Sequence, residues 1–476
     1  MGIGVPKDLT DIRRFFAEPS HPRQRQYEAL RAFFVEDRPS HEVARAFGYT
    51  PGSFRVLCHQ FRRDPDPQFF HSPSPGPRTQ PIKSKAHDLA VALRKQNHSV
   101  YEISQALKLW SIERKSHVMA LVTDPGLALF CGLNIIPKKS YLCEYSSRVE
   151  RERTVALLAA WHRAVTDEQL FDAHSFNLDF HSVPYYGDDP QVQRHFVSAR
   201  SRAQPSVLAF LAQDASGRAF CYSNADLRKG EEAEEIFRFI EFWKRQHGEL
   251  PRHLVFDSRL TTYAHLARLD QLGITFITLR RRSATLLQEV ADLPASAWRR
   301  VTLDVPARKY KTPRVFEQSI RLAGATLRQL FVVDLGHEQP TILLTNDPHS
   351  SHAKLLTRYA QRMLIENALS DAVRFFHMDA LSSAVGMKVD FDMALLVVAS
   401  GLYRLLARRM RGYADAQARH IFRDLIDTPA DISVTDSEVR VHFHRRAHLP
   451  IILASGLLNT AIPIPWWKGY SLRMSA

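Results

Sequence analysis

The segment from about residue 170 to residue 282 constrains the fold most, because strand-like and helix-like stretches follow one another in it in a definite order. Three strand candidates, SFNLDFHSV, SVLAFLAQ and RAFCYSNA, come first, and Asp-Ala-Ser-Gly at 214–217 predicts a hairpin turn between the last two. A strongly amphipathic helix, a strand, a helix ended by Gly273 and a further strand follow. This succession predicts a mixed α/β sheet.

The rest of the C-terminal region changes character twice. Residues 298–346 contain four strand-like stretches and no obvious helix, which predicts a β-rich segment. Two long helical segments are predicted at 351–376 and 389–412, and the chain ends in strand-like sequence that includes EVRVHFHRRAH. Its three histidines lack an acidic or cysteine partner nearby, so a basic strand facing DNA is a better interpretation than a metal cluster.

Charge indicates the class of partner. The 476 residues include 64 Lys+Arg against 50 Asp+Glu, a formal net charge of +14, and about half of the excess lies in the first 150 residues. A basic protein of this kind favours a nucleic-acid partner. Hydrophobic residues at 45% and aromatic residues at 10% exclude a mostly disordered chain.

Localisation is predicted from three absences. The four widely spaced cysteines match neither a disulfide framework nor a zinc pattern, which indicates a reducing compartment. The N-terminus lacks the apolar core of a signal peptide. The apolar run 393–403 is too short to span a membrane, and Pro463 and Pro465 favour strands and turns over a span in 449–467. We therefore expect a cytoplasmic protein without a membrane segment.

The N-terminal third contains two helical units of similar pattern. In the first, residues 1–63, an apolar helix precedes a short helix that Ser40 is expected to cap, a turn at Gly48 and a basic helix. This order favours a helix-turn-helix, and ordinary helical hairpins are the alternative. Residues 83–150 repeat the pattern after a proline-rich linker at 64–82. The candidate DNA-binding residues of the first unit are Arg55, Arg62 and Arg63.

Two aspartates lie at the ends of apolar strand candidates. Asp179 stands in FNLDF and Asp257 in LVFDS. A carboxylate inside a buried strand is unfavourable unless something pairs with it, and a divalent cation is one such partner. A salt bridge or the capping of a turn is the alternative for either residue taken alone.

The first long helical segment brings a third acid. Tyr359, Arg362 and Glu366 lie at i, i+3 and i+7, so at about 100° per residue they fall within roughly 60° of one helix face. Such a face suits a site where an anion and a metal ion meet. An ordinary i,i+4 pair of Arg362 and Glu366 on a solvent-facing stripe is the alternative.

Taken together, these residues resemble the DDE transposases of bacterial insertion sequences, in the branch marked by a Tyr-x2-Arg-x3-Glu-x6-Lys signature. The resemblance covers about 170–450, and the β-rich stretch is similar to an insertion that this branch carries. One position departs from the signature: its Lys falls on Val373, and the neighbouring Arg374 points about 100° away on a regular helix. The matching residues are Asp179, Asp257, Tyr359, Arg362 and Glu366.

The resemblance implies an RNase H-like α/β core formed by 151–297 and 351–476, with a β-rich insertion at 298–350. It implies that the three acids hold two Mg²⁺ ions, or Mn²⁺, about 3.5–4 Å apart, one activating the nucleophile and one stabilising the leaving oxygen. Arg362 is then expected to bind phosphate, and Tyr359 is expected to hydrogen-bond or stack near the end of the DNA strand.

The function implied is binding of double-stranded DNA at terminal inverted repeats, followed by strand cleavage and transfer of the 3′-hydroxyls to a target. Paired ends imply a homodimer in the active complex. Two alternatives stay open: a catalytically weakened or domesticated DNA-binding protein, which Val373 permits, and an RNase H-like nuclease without a joining step.

Overall fold

The structure, a computed structural model, describes residues 16, 19, 22–63, 65, 105, 108–112, 149–172, 174–186, 192–197, 200–227, 230–305, 309–380, 389–458, 460–464, 467 and 469–476. The chain divides into two compact units, 1–84 and 85–476. The predicted linker and the predicted second helix-turn-helix unit lie almost entirely outside the described residues.

Three described helices form the first unit: α1 (Pro22–Phe34), α2 (Ser40–Ala46) and α3 (Pro51–Arg63). They pack around Leu30, Val43 and Phe54, which are almost completely buried. The predicted helices are thereby confirmed, whereas their assignment as a DNA-binding helix-turn-helix stays a prediction.

The turn between α2 and α3 needs Gly48, whose φ of +69° lies in the left-handed region that favours glycine. The prediction that Ser40 caps α2 is wrong, because Pro39 occupies the N-cap position and Ser40 is the first helical residue. A side-chain cap is found instead at α3, where the Oγ1 atom of Thr50 accepts the N–H of Ser53 at 3.1 Å.

The second unit is mixed α/β, as predicted. Its described strands are β1 (Ser175–Pro184), β2 (Arg194–Val197), β3 (Arg202–Asp214), β4 (Ala219–Asn224), β5 (His253–Val255), β6 (Thr275–Leu279), β7 (Arg299–Arg300), β8 (Arg314–Leu322), β9 (Ala325–Val333), β10 (Thr341–Thr345), β11 (Ala430–Val434), β12 (Glu438–Phe443), β13 (Ala461–Pro463) and β14 (Ser471–Ser475).

Its described helices are α4 (Arg151–Ala164), α5 (Glu235–His247), α6 (Tyr263–Gln271), α7 (Ala284–Ala291), α8 (His352–Gln361), α9 (Met363–Arg374), α10 (Asp390–Arg409), α11 (Ala418–Ile421) and α12 (Leu449–Ala454). Among the described residues, none of the helices is long and apolar enough to cross a membrane.

Ten of the described strands form one sheet in the order β2-β3-β1-β5-β6-β10-β9-β8-β7, with β4 paired to β3. Strands β1, β5 and β6 are mutually parallel, and the other pairings are antiparallel. The segment expected as a β-rich insertion is indeed β-rich, and its strands continue the same sheet because β10 pairs with β6.

The sheet is covered by helices whose apolar faces the sequence pattern predicts. On α5, Phe239 and Trp243 are fully buried and pack on Phe176 of β1. At the start of α10, the carboxylate of Asp390 accepts two bonds from the guanidinium of Arg151 on α4, at 2.8 and 2.6 Å. This buried pair links two helices that pack against β4.

Two predictions for the C-terminal part have different outcomes. The prediction of strands and turns throughout 449–467 is wrong at its start, because Pro450 lies in the first turn of helix α12, where no N–H is required. The strand predicted in EVRVHFHRRAH is confirmed as β12, which lies in a separate four-stranded sheet of order β11-β12-β14-β13.

Candidate functional site

The register of β1 and β5 brings the first two acids to one edge of the sheet. The last parallel pair of these strands is Asn177 with Val255, and Asp179 and Asp257 each lie two residues beyond it. Asp179 thus lies within β1 and Asp257 just past the end of β5, equally far from this pair. The carboxyl ends of parallel strands are where binding sites of α/β sheets form.

Asp257 also has a local structural role. Strand β5 ends at Val255, and a short 3₁₀-helix begins at Ser258 with Asp257 as its N-cap. One oxygen of Asp257 accepts the backbone N–H and, at 3.1 Å, the hydroxyl of Ser258. The capping role considered as an alternative in the sequence is thus present, and it leaves the other carboxylate oxygen without a bond to Ser258.

The helix expected at 351–376 is not continuous. It breaks at Arg362, which ends α8 and precedes α9. The hydrogen bonds across this junction join Arg362 to Tyr359 and Ile365 to Arg362, both three residues apart. The prediction of one regular helix is therefore wrong, and the arc calculated for Tyr359, Arg362 and Glu366 does not apply across the break. Glu366 lies instead in the first turn of α9.

Arg362 joins the helix break to β1. Its Nη2 atom lies 3.0 Å from Oδ2 of Asp179, and its Nη1 atom lies 3.8 Å from Oε1 of Glu366. The side chains of Arg362 and Asp179 are 12% and 18% exposed, whereas that of Glu366 is 54% exposed. The guanidinium thus contacts one largely buried and one solvent-facing carboxylate.

A second arginine, on α8, also reaches β1. The guanidinium of Arg358, one turn before Arg362, donates to the hydroxyl of Ser175 and to the side-chain oxygen of Asn177. Alternate residues of a strand share one face and are spaced by roughly 6.6 Å, while i and i+4 on a helix are spaced by about 6 Å. Successive turns of α8 therefore reach successive same-face residues of β1.

The groups around the break interact electrostatically. Burial raises the pKa of the Asp179 carboxyl, Asp257 and Glu366 raise it further, and Arg362 and the Phe180 N–H act in the opposite direction. The result is a carboxyl that takes up a proton more readily than an exposed aspartate. The charges of Asp179, Asp257 and Glu366 thus act on the same small region.

Tyr359 belongs to this group. The pKa of its phenol is raised to about 12, mainly by burial and also by the three carboxylates, while Arg362 acts in the opposite direction. Its hydroxyl therefore stays protonated near neutral pH and available as a hydrogen-bond donor. Tyr359 also packs beside the apolar cluster under α8.

The metal expected from the sequence is tested by the spacing of these acids. Three carboxylates are the oxygen ligands that Mg²⁺ and Mn²⁺ prefer. Among the described residues, however, no three His, Cys, Asp or Glu side chains are close enough together to hold a metal ion. The donor chemistry fits a divalent cation, while the positive charge at Asp179 is supplied by Arg362.

The position of the signature Lys is apolar in the structure as well. Val373 on α9 is partly buried and packs against the main core, while Arg374 is exposed. A side chain at 373 therefore contributes to packing, and Arg374 is exposed to solvent.

The arginines predicted to bind DNA in the first unit are exposed on α3. Arg55 donates from Nε to the carbonyl of Pro51 at 3.3 Å, and the Arg62 guanidinium lies 5.4 Å from the ring centre of Phe34. Their charges are thus presented to solvent, as a contact with phosphates requires.

Two residues close to the candidate site were not predicted from the sequence: His181 and Arg358. His181 lies two residues beyond Asp179, and its Nε2 atom is 2.9 Å from Oδ1 of Asp379. Arg358 was not singled out at all. The signal that could have found His181 is the strict alternation along β1, where Ser175, Asn177, Asp179 and His181 share one face.

No protein-family model matches the chain, and no curated protein matches it. The solved structures that resemble it include a Mos1 transposase paired-end complex with left transposon end, at 12% identity and a TM-score of 0.16 over 54% of this chain and 77% of that chain. A Mos1 mariner paired-end complex with Mn gives 12% identity and a TM-score of 0.15 over 53% and 76% of the two chains. A Mos1 strand transfer complex gives 12% identity and a TM-score of 0.16 over 55% of this chain and 78% of that chain. TM-scores this low do not establish a common fold with this chain.

Proposed function

We propose that the protein is a DDE transposase of the bacterial insertion-sequence type. It binds the terminal inverted repeats of its element as double-stranded DNA, cleaves the strands at the element ends and joins the 3′-hydroxyls to a target. The observation that carries the proposal is that Asp179 and Asp257 each lie two residues beyond the last parallel pair of β1 and β5, and that Arg362 links Glu366 to Asp179.

The order of elements supports an RNase H-like core. Strands β4, β3 and β1 are neighbours and antiparallel, and β5 and β6 follow on the other side of β1, parallel to it. Helix α5 separates β4 from β5 along the chain, and α6 separates β5 from β6. Apart from the short β2, this is the succession of three strands, a helix, a strand, a helix and a strand from which the sequence predicts a mixed α/β sheet, which is compatible with an RNase H-like core.

The resemblance assigns two Mg²⁺ or Mn²⁺ ions to Asp179, Asp257 and Glu366, and these carboxylates would have to come closer together than they lie in this structure to hold them. Bound ions of this kind activate the attacking oxygen and stabilise the leaving oxygen of a phosphodiester. Arg362 pairs with a carboxylate in the structure and presents a planar fork that also suits a phosphate. Tyr359 would donate a hydrogen bond near the end of the DNA strand, because its hydroxyl stays protonated.

The remaining assignments complete this proposal. The first unit binds the element ends through Arg55, Arg62 and Arg63, which are exposed on one basic helix. The active complex is a homodimer, because two ends are processed together, and it acts in the cytoplasm.

One observation favours a second candidate function. Val373 replaces the signature Lys with a side chain that packs on the core, so one expected DNA contact is missing. A catalytically weakened or domesticated DNA-binding protein would retain the first unit and the fold of the second while losing strand cleavage.

A cleavage assay with the full chain separates these functions. The substrate is DNA carrying the inverted repeats that flank the coding sequence, incubated with Mg²⁺. Asp257→Asn is the informative variant, because asparagine can still accept the Ser258 N–H and so preserve the local turn. Asp436→Asn, at an exposed position, is the matched control.

The transposase is supported if wild type and Asp436→Asn cleave and join DNA ends while Asp257→Asn does neither. Equal cleavage by Asp257→Asn and wild type would overturn the assignment of the site. Binding of the ends without cleavage by any of the proteins would establish the weakened DNA-binding protein. Cleavage without joined products would establish a nuclease without the joining step.

A further inference from the structure

A cavity of about 480 Å³ lies beside α8, at the amino-terminal ends of β1, β5 and β6. Its walls include Lys354 and Arg358 from the helix and Ser175 and His253 from the strands. None of the three acids proposed to bind metal ions contributes to these walls. The cavity is therefore distinct from the site of the three acids.

Arg358 faces this cavity with a charge that its neighbours do not neutralise. A guanidinium has five N–H groups, and three hydrogen bonds engage it: two to Ser175, at 2.9 and 2.7 Å, and one to Asn177 at 2.8 Å. Both acceptor side chains are neutral. Among the described residues, no carboxylate forms an ion pair with Arg358, in contrast to Arg362 one turn later.

The electrostatic state of Arg358 agrees with this arrangement. Burial lowers the pKa of its guanidinium to about 10, and Asp214 compensates only in part. A desolvated cation with neutral contacts is stabilised when an anion binds next to it.

The other charged groups of the cavity leave room for an anion at Arg358. Lys354 lies one helical turn earlier and is exposed at the same wall. Two carboxylates also line the cavity: Asp304, which is exposed, and Asp347, whose Oδ1 atom already accepts the backbone N–H groups of His349 and Ser350, at 2.9 and 3.0 Å.

The size and remaining walls indicate more than a small ion. A volume of about 480 Å³ falls in the range of small-molecule sites. Hydroxyl groups of Thr275 and Thr302 and apolar residues such as Leu254 and Leu355 also line it. This combination suits a ligand with a phosphate at one end and a ring at the other.

We propose that this cavity binds a nucleoside monophosphate, with its phosphate between Arg358 and Lys354 and its base against the apolar wall. A guanidinium fork and an ammonium group are the cations that proteins use for phosphate. The ligand is either a free nucleotide or the 5′-terminal nucleotide of a DNA strand, which carry the same chemistry. The site needs no strand cleavage and no metal ion.

Calorimetry on the full chain in the presence of EDTA tests the proposal. The probes are thymidine 5′-monophosphate and, without the phosphate, thymidine. We expect the monophosphate to bind and thymidine to bind at least about tenfold more weakly, since charge-assisted bonds to phosphate provide much of the affinity. Equal binding of the two probes, or no binding of either, would overturn the proposal.

Variants locate the site. Arg358→Gln should weaken monophosphate binding by about ten- to one-hundredfold, and Lys354→Gln, which alters an exposed side chain, by several-fold. Arg245→Gln, an exposed arginine on α5 away from the cavity, should leave binding unchanged. If Arg358→Gln does not fold, the affinity of Lys354→Gln for the monophosphate tests the placement of the site. Wild-type affinity in a folded Arg358→Gln, or in Lys354→Gln, would contradict the placement.

The two ligand sources are separated by competition. An oligonucleotide with a 5′-phosphate displaces thymidine monophosphate if the cavity receives a strand end, whereas the same oligonucleotide with a 5′-hydroxyl does not. Failure of both oligonucleotides to displace the monophosphate assigns the site to a free nucleotide. The same titration on Asp257→Asn keeps this result independent of the proposed cleavage activity.

Discussion

The guanidinium of Arg362 lies 3.0 Å from the carboxylate of Asp179, and both side chains are largely buried. The bond bridges the break between α8 and α9 to the edge of the sheet. Arg362 thereby supplies a positive charge that offsets the buried carboxylate of Asp179. A divalent cation that binds Asp179 competes with Arg362 for the same carboxylate.

Arg362→Ala should therefore destabilise the metal-free protein and increase the stabilisation gained from Mg²⁺. Removing one partner of a buried ion pair leaves an uncompensated charge, which costs about 3 kcal/mol. Added Mg²⁺ can replace the missing cation, so its effect on the unfolding midpoint should be larger in the variant than in wild type. Urea unfolding with EDTA and with Mg²⁺ measures both effects.

Arg409→Ala is the control for this experiment. Arg409 also pairs with a carboxylate, Glu168 at 2.7 Å, but both side chains are well exposed. Removal of such a pair changes the free energy of unfolding by about 0–1 kcal/mol. A smaller response to Mg²⁺ in Arg362→Ala than in wild type would argue against competition at Asp179.

A second expectation concerns pH. The pKa of the Asp214 carboxyl is raised to about 7, mainly by burial and also by the neighbouring Asp172, while the Gly217 N–H acts in the opposite direction. The folded state thus holds a proton that the unfolded chain releases near pH 3.8. The stabilisation from this group is complete below that pH and is lost as the pH rises towards 7.

Asp214→Asn should flatten the decrease in the free energy of unfolding between about pH 4 and 7. The free energy of unfolding should decrease by on the order of 2–4 kcal/mol less in the variant than in wild type, because asparagine stays neutral across this range. Asp167→Asn, at an exposed position, should follow wild type. Chemical unfolding over this pH range gives the comparison, and parallel curves for wild type and Asp214→Asn would exclude the protonated carboxyl.

Gly217→Ala should destabilise the second unit. A Cβ atom at this position would lie 2.2 Å from the carbonyl oxygen of Leu170 and 2.9 Å from Oδ1 of Asp214, so backbone must shift. Overpacking of this kind costs about 1–3 kcal/mol. A Cβ atom added at Gly412 would lie within 4 Å of no other atom, and the only strain would come from the φ of +83°. Gly412→Ala should therefore lower the free energy of unfolding by about 1 kcal/mol. Thermal unfolding ranks the two variants, and the reverse order would contradict the close approach at Gly217.

Salt dependence tests the first unit. Neutralising Arg55, Arg62 and Arg63 together should reduce the slope of log K against log [salt] for binding to element ends, by up to about 0.9 for each phosphate that these arginines neutralise. Arg245→Gln should leave the slope unchanged, because this residue lies on α5 of the other unit. Filter binding or fluorescence anisotropy at several salt concentrations measures the slope, and equal slopes would place the DNA contacts elsewhere.

Local sequence patterns were sufficient to predict the elements of the core. Period-two alternation and the 3.6-residue period predicted β1, α5 and α6 correctly, because each depends on which side of one segment faces the core. The hairpin turn at 214–217 was also predictable from its residues. The role of its glycine was not: the positive φ falls on Arg218, at 53°, and Gly217 is needed for its close approach to Leu170.

The candidate site shows where sequence reasoning ends. The sequence identified Asp179, Asp257 and Glu366 as separate acids, but their proximity depends on parallel pairing and on packing between segments far apart in the chain. Helical periodicity predicted a continuous helix through Arg362, because local preference there is helical on both sides.

Contacts between distant segments account for the remaining features. Arg362 contacts Asp179 and Arg358 contacts β1 because the segment that carries both packs on the sheet, and neither contact has a local signal. The pairing of β10 with β6 likewise joins a segment that reads as a separate β-rich stretch to the main sheet. Local periodicity specifies which face of an element is apolar, whereas the partner of that face, and the charges it brings together, are set only when distant segments pack.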